Sequence, residues 1–333
     1  MPENVTTFGH TPDGTRIDRI ALTGQDLSAA ILTYGATVQD LRLSGVPHPL
    51  VLGWESLDDY LTSSTYFGAI VGRFANRIGN GRYRIAEQEF RTQRNFLDQH
   101  TLHGGAEGSS HQVWRIENAD TQSVELSLEM PDGHMGFSGH LDVRALYKIA
   151  GGNSLQVTLR ARCQSPSLCN FAPHGYFNLD GSKNISGHNL QIDAASYLEV
   201  DDDLIPTGEL LPTKGSAFDF NVERAIGGQE IDHNFCLAPT RRDIRKVASL
   251  FAPQSGVRMT VLTTEPGLQI YTAAQLDEPM RKGLGGRTYG NFAGIAIEPQ
   301  VWPDAPNKPG FPNAVLYPDE VYEHITRFAF DRT

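Results

Sequence analysis

This chain is poor in the features that would tie it to a polyanion. Across 333 residues, 28 lysines and arginines are outnumbered by 39 aspartates and glutamates, and the formal net charge is −11. Nucleic acid and anionic membrane surfaces are therefore poor partners. The densest basic stretch, Arg241-Arg242-Asp243-Ile244-Arg245-Lys246, is short and reads as a solvated helix face. Cysteine is scarce: Cys163, Cys169 and Cys236 form no C-x-x-C pair and leave an odd one. That pattern suits a reduced, cytoplasmic setting rather than a disulfide framework. No apolar run approaches the length of a membrane span. The first residues have neither a basic nor an apolar leader segment, so no secretory signal is expected. Also missing are a phosphate-binding G-x-x-x-x-G-K loop, a strand–G-x-G-x-x-G–helix unit, H-E-x-x-H and a G-x-S-x-G elbow. Nucleotide, zincin and α/β-hydrolase chemistry lose their usual signatures.

Helical periodicity is equally rare, confined to residues 57–61 and 243–251. What recurs instead is two-residue alternation. Strands are expected at 16–22, 29–34, 37–43, 82–90, 113–117, 124–130, 141–149, 155–161, 190–192, 257–263, 268–272, 294–298 and 324–330. Glycine, proline, asparagine and aspartate punctuate the gaps, as in Pro131-Asp132-Gly133. Many short strands with few helices predict an all-β, antiparallel sandwich or barrel. No linker or internal repeat divides the chain, so residues 1–333 read as one domain.

Several polar residues stand out against this background. In Gly294-Ile295-Ala296-Ile297-Glu298-Pro299, a buried strand delivers Glu298 at its end, and Pro299 should stop the ladder. A carboxylate so placed is either a general base or a rim residue with an ion-pair partner. Along His174-Gly175-Tyr176-Phe177-Asn178-Leu179, one strand face carries His174, Tyr176 and Asn178. Such a face suits the wall of a sugar site, and equally a half-buried strand whose histidine bonds a backbone carbonyl. His100 and His103 have a metal-like spacing, with His111 as a third candidate. No carboxylate completes the pattern, and Gly104-Gly105 suggest a tight turn that brings backbone to a ligand. In Gly72-Arg73-Phe74-Ala75-Asn76-Arg77, the arginines supply forked donors or structural ion pairs. Asp232 in Ile231-Asp232-His233-Asn234-Phe235 accepts from adjacent hydroxyls or forms an Asx turn. Gln269 follows a Pro266-Gly267 turn at a strand start.

Taken together and in order, these segments resemble the aldose 1-epimerases, or galactose mutarotases, nearly end to end. The likeness runs from Tyr34-Gly35-Ala36-Thr37 and Leu52-Gly53-Trp54 through GRFANRI, LHGG, HGYFNL, DHNF and TTEPGLQIYT to Glu298-Pro299-Gln300-Val301-Trp302-Pro303. The resemblance implies a large antiparallel β-sandwich with a concave active face, the galactose mutarotase-like supersandwich. By position it makes Glu298 the catalytic base and His174 the catalytic acid. Asn76, Arg77, His103, Asp232 and Gln269 would hold a monosaccharide, with no metal or organic cofactor and as monomer or homodimer. Pro173, Gly175 and Ala273-Ala274 depart from the family pattern near the site. Rival readings are a glycoside hydrolase using Glu298 and Asp232, a sugar-binding protein without catalysis, and a hexose-phosphate 1-epimerase. The hydrolase leaves His174 idle, a lectin needs neither proton pathway, and a phosphate site should gather several lysines or arginines.

Overall fold

The structure, a computed structural model, describes residues 3–63 and 65–332. In chain order the principal strands are β1 (Val5–His10), β2 (Arg16–Thr23), β3 (Leu27–Leu32), β4 (Thr37–Leu43), β5 (Arg115–Ala119) and β6 (Ser123–Met130). Next come β7 (Leu141–Ala150), β8 (Ser154–Cys163), β9 (Tyr176–Phe177), β10 (Asn189–Ile192), β11 (Ser196–Val200), β12 (Pro206–Pro212) and β13 (Arg224–Ala225). The last are β14 (Asp232–Cys236), β15 (Arg245–Ala252), β16 (Val257–Thr263), β17 (Gly267–Tyr271), β18 (Ile295–Gln300) and β19 (Tyr322–Arg332). One α-helix is present among the described residues, α1 (Leu57–Thr62), capped by the Ser56 hydroxyl accepting from the Asp59 N–H.

Three antiparallel sheets carry the architecture. β1 to β4 form a meander. Nine strands in the order β5-β6-β7-β8-β19-β16-β15-β10-β13 form the large sheet. Six in the order β9-β18-β17-β14-β11-β12 form the sheet that holds the site. β7 shows why: Leu141, Val143, Ala145, Tyr147 and Ile149 point inward and alternate with exposed or half-exposed neighbours. One apolar core joins all three sheets, through Ile20 and Leu41, Val157 and Phe328, and Leu268 and Ile297. Each such side chain contributes about 1.5–3 kcal/mol by leaving water. The expected all-β sandwich is the observed fold.

The structure corrects three readings of the sequence. Residues 243–251 are not a helix but mostly strand β15, and the basic run before it is no helix face. Val247, Ala248, Ser249 and Leu250 are buried in succession, so both faces of β15 are covered there, while β10 and β16 flank it within the sheet. That erases alternation and leaves a pattern that looks helical. Residues 82–90 split into a hairpin, Arg82–Ile85 and Gln88–Arg91, turning at Ala86 with φ of 50°. Finally, β18 does not stop before Pro299 but continues to Gln300, with Pro299 opposite Leu268. Its other neighbour, β9, pairs only with Ile295 and Ala296, so near Pro299 that edge needs no N–H for a ladder.

Candidate active site

Strand alternation sets the floor of the site. On β18, Ile295 and Ile297 enter the main core while Ala296 and Glu298 take the opposite face. Glu298 is 2 % exposed, and Gln269 on β17 is its register partner. Next along, Asn234 pairs with Gln269 and Asp232 with Tyr271. The β14–β17–β18 ladder thus presents Asp232, Gln269 and Glu298 close together on one sheet.

His174 reaches the same place by a different route. It sits just before β9, and its backbone is clamped by the segment 68–69. The His174 N–H donates to the Ala69 carbonyl (2.9 Å), and the Gly68 N–H donates to the His174 carbonyl (3.0 Å). Gly68 has φ of 70°, and a Cβ there would lie 2.1 Å from the Val38 carbonyl oxygen, so only glycine fits. The result places His174 Nε2 3.4 Å from Glu298 Oε2, with both side chains buried. Of the two nearby departures, Pro173 pairs with Ile70 in a short bridge. A Cβ at Gly175 would stand 3.2 Å from the Phe177 ring.

Arg77, Asn76 and His103 come from the irregular segment opposite. Arg77 donates to Asp232 Oδ2 at 3.0 Å, its guanidinium stacks 4.8 Å from the Phe96 ring centroid, and it lies 3.4 Å from Asn76 Oδ1. Gln269 Nε2 donates to the other Asp232 oxygen at 2.5 Å. Gln269 therefore meets the cleft only through Asp232 and a small recess behind it. Asn76 and His103 brace each other: the His103 N–H donates to the Asn76 carbonyl, and the Asn76 N–H donates to His103 Nδ1 at 3.1 Å. Because Nδ1 accepts, the imidazole proton sits on Nε2, leaving His103 a donor.

These residues line a cleft of about 560 Å³, together with Tyr66, Phe96, Tyr176, Tyr271 and His233. Tyr66, which no motif announced, packs against three histidines. Its ring centroid is 4.6 Å from His103, 5.6 Å from His174 and 5.7 Å from His111. Phe96 was equally unmarked. Other sequence candidates lie elsewhere. Arg73 is fully buried and donates to the carbonyls of Met130, Ser138 and Gly139. Asn178 donates to the Ser182 and Ala293 carbonyls. His100 Nε2 meets Asp203 at 3.2 Å, away from His103. Gly104 brings backbone against Gly72 rather than against a ligand, since a Cβ there would lie 2.1 Å from the Gly72 oxygen.

Burial dominates the electrostatics. Loss of water drives the Glu298 carboxyl well above the usual carboxylate range, with Asp232 adding to the effect and Arg77 opposing it. Burial likewise pulls His174 down to about 4, against opposing pulls from a backbone hydrogen bond and Asp232. It also holds His103 well below its ordinary value, helped by His174 and Arg77. Glu298 Oε2, His174 Nδ1 and Arg77 Nε have no hydrogen-bond partner. Such buried polar atoms await a ligand that brings hydroxyls. His103, His174 and Glu298 are close enough to gather around an ion. The proton on His103 Nε2 argues against that use, because a metal needs a free lone pair there.

Known proteins similar to this chain share one family. The family model described as Aldose 1-epimerase matches residues 18–329. The chain is 37% identical to galactose mutarotase of Mus musculus, over 98% of this chain and 97% of that protein. It is 32% identical to aldose 1-epimerase of Escherichia coli (strain K12), over 96% of each. Among solved structures, an aldose epimerase homologue from C. elegans superposes with a TM-score of 0.88 at 27% identity, covering 95% of this chain and 99% of that one.

Proposed function

Starting from the fact that this chain belongs to the aldose 1-epimerase family, we propose that it opens and recloses the ring of a free, galactose- or glucose-like aldose with Glu298 as base and His174 as acid. The enzyme interconverts the α and β anomers of its sugar. The observation that carries the residue assignment is the buried His174–Glu298 pair, 3.4 Å apart beside the Arg77–Asp232 ion pair.

Ring opening removes a proton from the C1 hydroxyl and delivers one to the ring oxygen. After rotation about C1–C2, closure reverses both transfers. Two groups acting together avoid a full alkoxide or oxocarbenium charge, a contribution of about 10²–10⁴-fold. The pair needs a single proton between its members. Burial favours the uncharged arrangement, with the proton on Glu298. Moving it to His174 yields the reactive carboxylate and imidazolium without exchange with solvent. Sugar hydroxyls and the Arg77 guanidinium favour that charged form. Arg77 and the His103 Nε2–H are donors for charge that develops on the sugar oxygens. Asp232, held by Arg77 and Gln269, accepts from hydroxyls that keep the rest of the sugar still while C1 turns.

Three buried free cysteines support a cytoplasmic setting. A core shared by all three sheets supports a single domain. Polarimetry on freshly dissolved α-D-galactose and α-D-glucose tests the function. Rotation should relax faster than in buffer with the wild type, and at the buffer rate with Glu298→Gln. Undiminished catalysis by that variant would remove Glu298 from the mechanism.

A further inference from the structure

We propose that the recess behind the Arg77–Asp232 ion pair is a site for one bound water, and that Asn234, acting through this water, holds the Arg77 guanidinium in place for the sugar. The positioning role rests on the epimerase reading of the same site; the water site stands without it.

Strand alternation puts Asn234 on the same face of β14 as Asp232, opposite Gln269 on β17. The recess is lined on its polar side by Asn76, Arg77, Asp232, Asn234 and Gln269, and the rest of its wall is leucine, valine and proline. Asn234 is 2 % exposed, and neither end of its side-chain amide meets a hydrogen-bond partner among the described residues. Turning the amide over therefore gains nothing. The Cys236 thiol approaches it, but sulfur is a weak partner. Gly267 makes room for this side chain, since a Cβ there would lie 2.6 Å from Asn234 Oδ1.

Arg77 brings the second unpartnered group. Its Nη2 donates to Asp232 at 3.0 Å and its Nη1 lies 3.4 Å from Asn76 Oδ1, while its buried Nε–H has no partner. Nε–H and Nη2 share one edge of the planar guanidinium, so the free N–H leaves on the side of Asp232, which also lines the recess. Size then selects the ligand. A water-sized sphere finds about 10 Å³ of room there, close to the 10–15 Å³ or so that one water needs. A sugar's hydroxymethyl arm does not fit. A water in this place accepts from Arg77 Nε–H and donates to Asn234 Oδ1, with Asp232 as acceptor for its other proton, which gives it the partners a buried water usually has. Asp232, the Phe96 ring and the water then hold the guanidinium on three sides. Arg77 cannot turn, and Asp232 keeps its aim on the sugar hydroxyls.

The test pairs a crystal structure of the wild type, at a resolution that shows ordered water, with kcat and KM for D-galactose in wild type, Asn234→Leu and Asn234→Ala. The crystal structure should show one water within hydrogen-bond distance of Arg77 Nε and Asn234. Leucine fills the recess and offers no polar atom, so kcat/KM should fall about 10-fold, chiefly through KM, as expected for a lost hydrogen bond to a charged group. Alanine leaves room for a second water in place of the amide, so that variant should stay within about 3-fold of wild type. A residue that mattered only for packing would give the reverse order, because alanine leaves the larger cavity. Urea denaturation of each variant reports that it is folded. A dry recess, or an Arg77 Nε paired with a protein group, overturns the water site and leaves the epimerase reading standing, whether or not the variants fold. A leucine variant equal to wild type, or an alanine variant as impaired as leucine, overturns the positioning role. If wild type does not accelerate galactose mutarotation, the epimerase reading falls and takes the positioning role with it, while the crystal structure still decides the water site.

Discussion

Replacing Glu298 by glutamine should stop catalysis and strengthen the fold at once. The side chain is 2 % exposed, its Oε2 has no hydrogen-bond partner, and burial holds its carboxyl well above the ordinary range. An unfolded chain ionises this residue near its ordinary value, 4.5, whereas the folded chain keeps the proton to higher pH. The folded state therefore binds more protons in that interval, and its stability falls as pH rises. Below about 4.5 the carboxyl carries no such penalty, because both states are protonated. Glutamine keeps the shape and cannot ionise, so the variant should gain on the wild type as pH climbs. An unsatisfied buried polar group costs about 1–3 kcal/mol, which sets the scale of the gap near neutrality. Activity should drop about 10²–10⁴-fold, the usual range for acid–base catalysis. Urea denaturation of both proteins at several pH values, with polarimetry on the same samples, measures both effects. A variant less stable than wild type at pH 7, or a gap independent of pH, would refute the claim that the fold carries a destabilised carboxyl for the sake of chemistry.

Other expectations follow from the same geometry. His174→Asn should lower kcat by about 10²–10⁴-fold. Since burial depresses His174 to about 4, its contribution to stability is intact above its unfolded value of about 6.5 and is lost as pH falls toward 4; the variant should resist mild acid better in the same denaturation series. The wild-type kcat/KM profile should keep its plateau down to about 4, where a second proton enters the pair; an acid limb near 6.5 would indicate an unburied histidine. Arg73→Ala should destabilise by about 3–5 kcal/mol, by stripping the carbonyls of 130–139 of their donor, while any soluble fraction keeps its KM. Tyr66→Phe should leave the pH profile in place, whereas Tyr66→Ala should admit water and move the acid limb upward.

Much of this molecule was legible in its sequence, and the exceptions have physical causes. Strands with one wet face, such as Leu141–Ala150, announced themselves by alternation. Arg245–Ala252 did not, because cover on both faces removes the period that marks a strand. Pro299 misled because a proline is tolerated where one edge of a strand has no partner. The residues of the site were readable as types: carboxylate, imidazole, guanidinium and amide. Their division of labour was not readable from the residues alone and came only as what the family resemblance implies. Arg73 and Arg77 lie four positions apart in one motif, yet one holds a loop's carbonyls and the other faces the cleft. His100 and His103 share a metal-like spacing and turn to different partners. Tyr66 and Phe96 were invisible, because an aromatic ring takes its meaning from neighbours that only the fold supplies.

The place of β19 bears on how the molecule is made. It lies between β8 and β16, and pairs in register with both. On a ribosome, the meander β5 to β8 and the hairpin β15–β16 can each form as they emerge, but each is left with a bare edge facing the other. Until β19 arrives, those edges are adhesive, open to any extended chain nearby. The same strand brings His324, whose Nδ1 lies 3.0 Å from the Phe171 carbonyl oxygen, three residues before His174. Synthesis must thus pass residues 322–332 before the sheet closes and the segment leading to His174 gains its final support. A nascent chain stalled short of β19 would be a client for chaperones and would lack the enzyme's activity, however much of the cleft had already been translated.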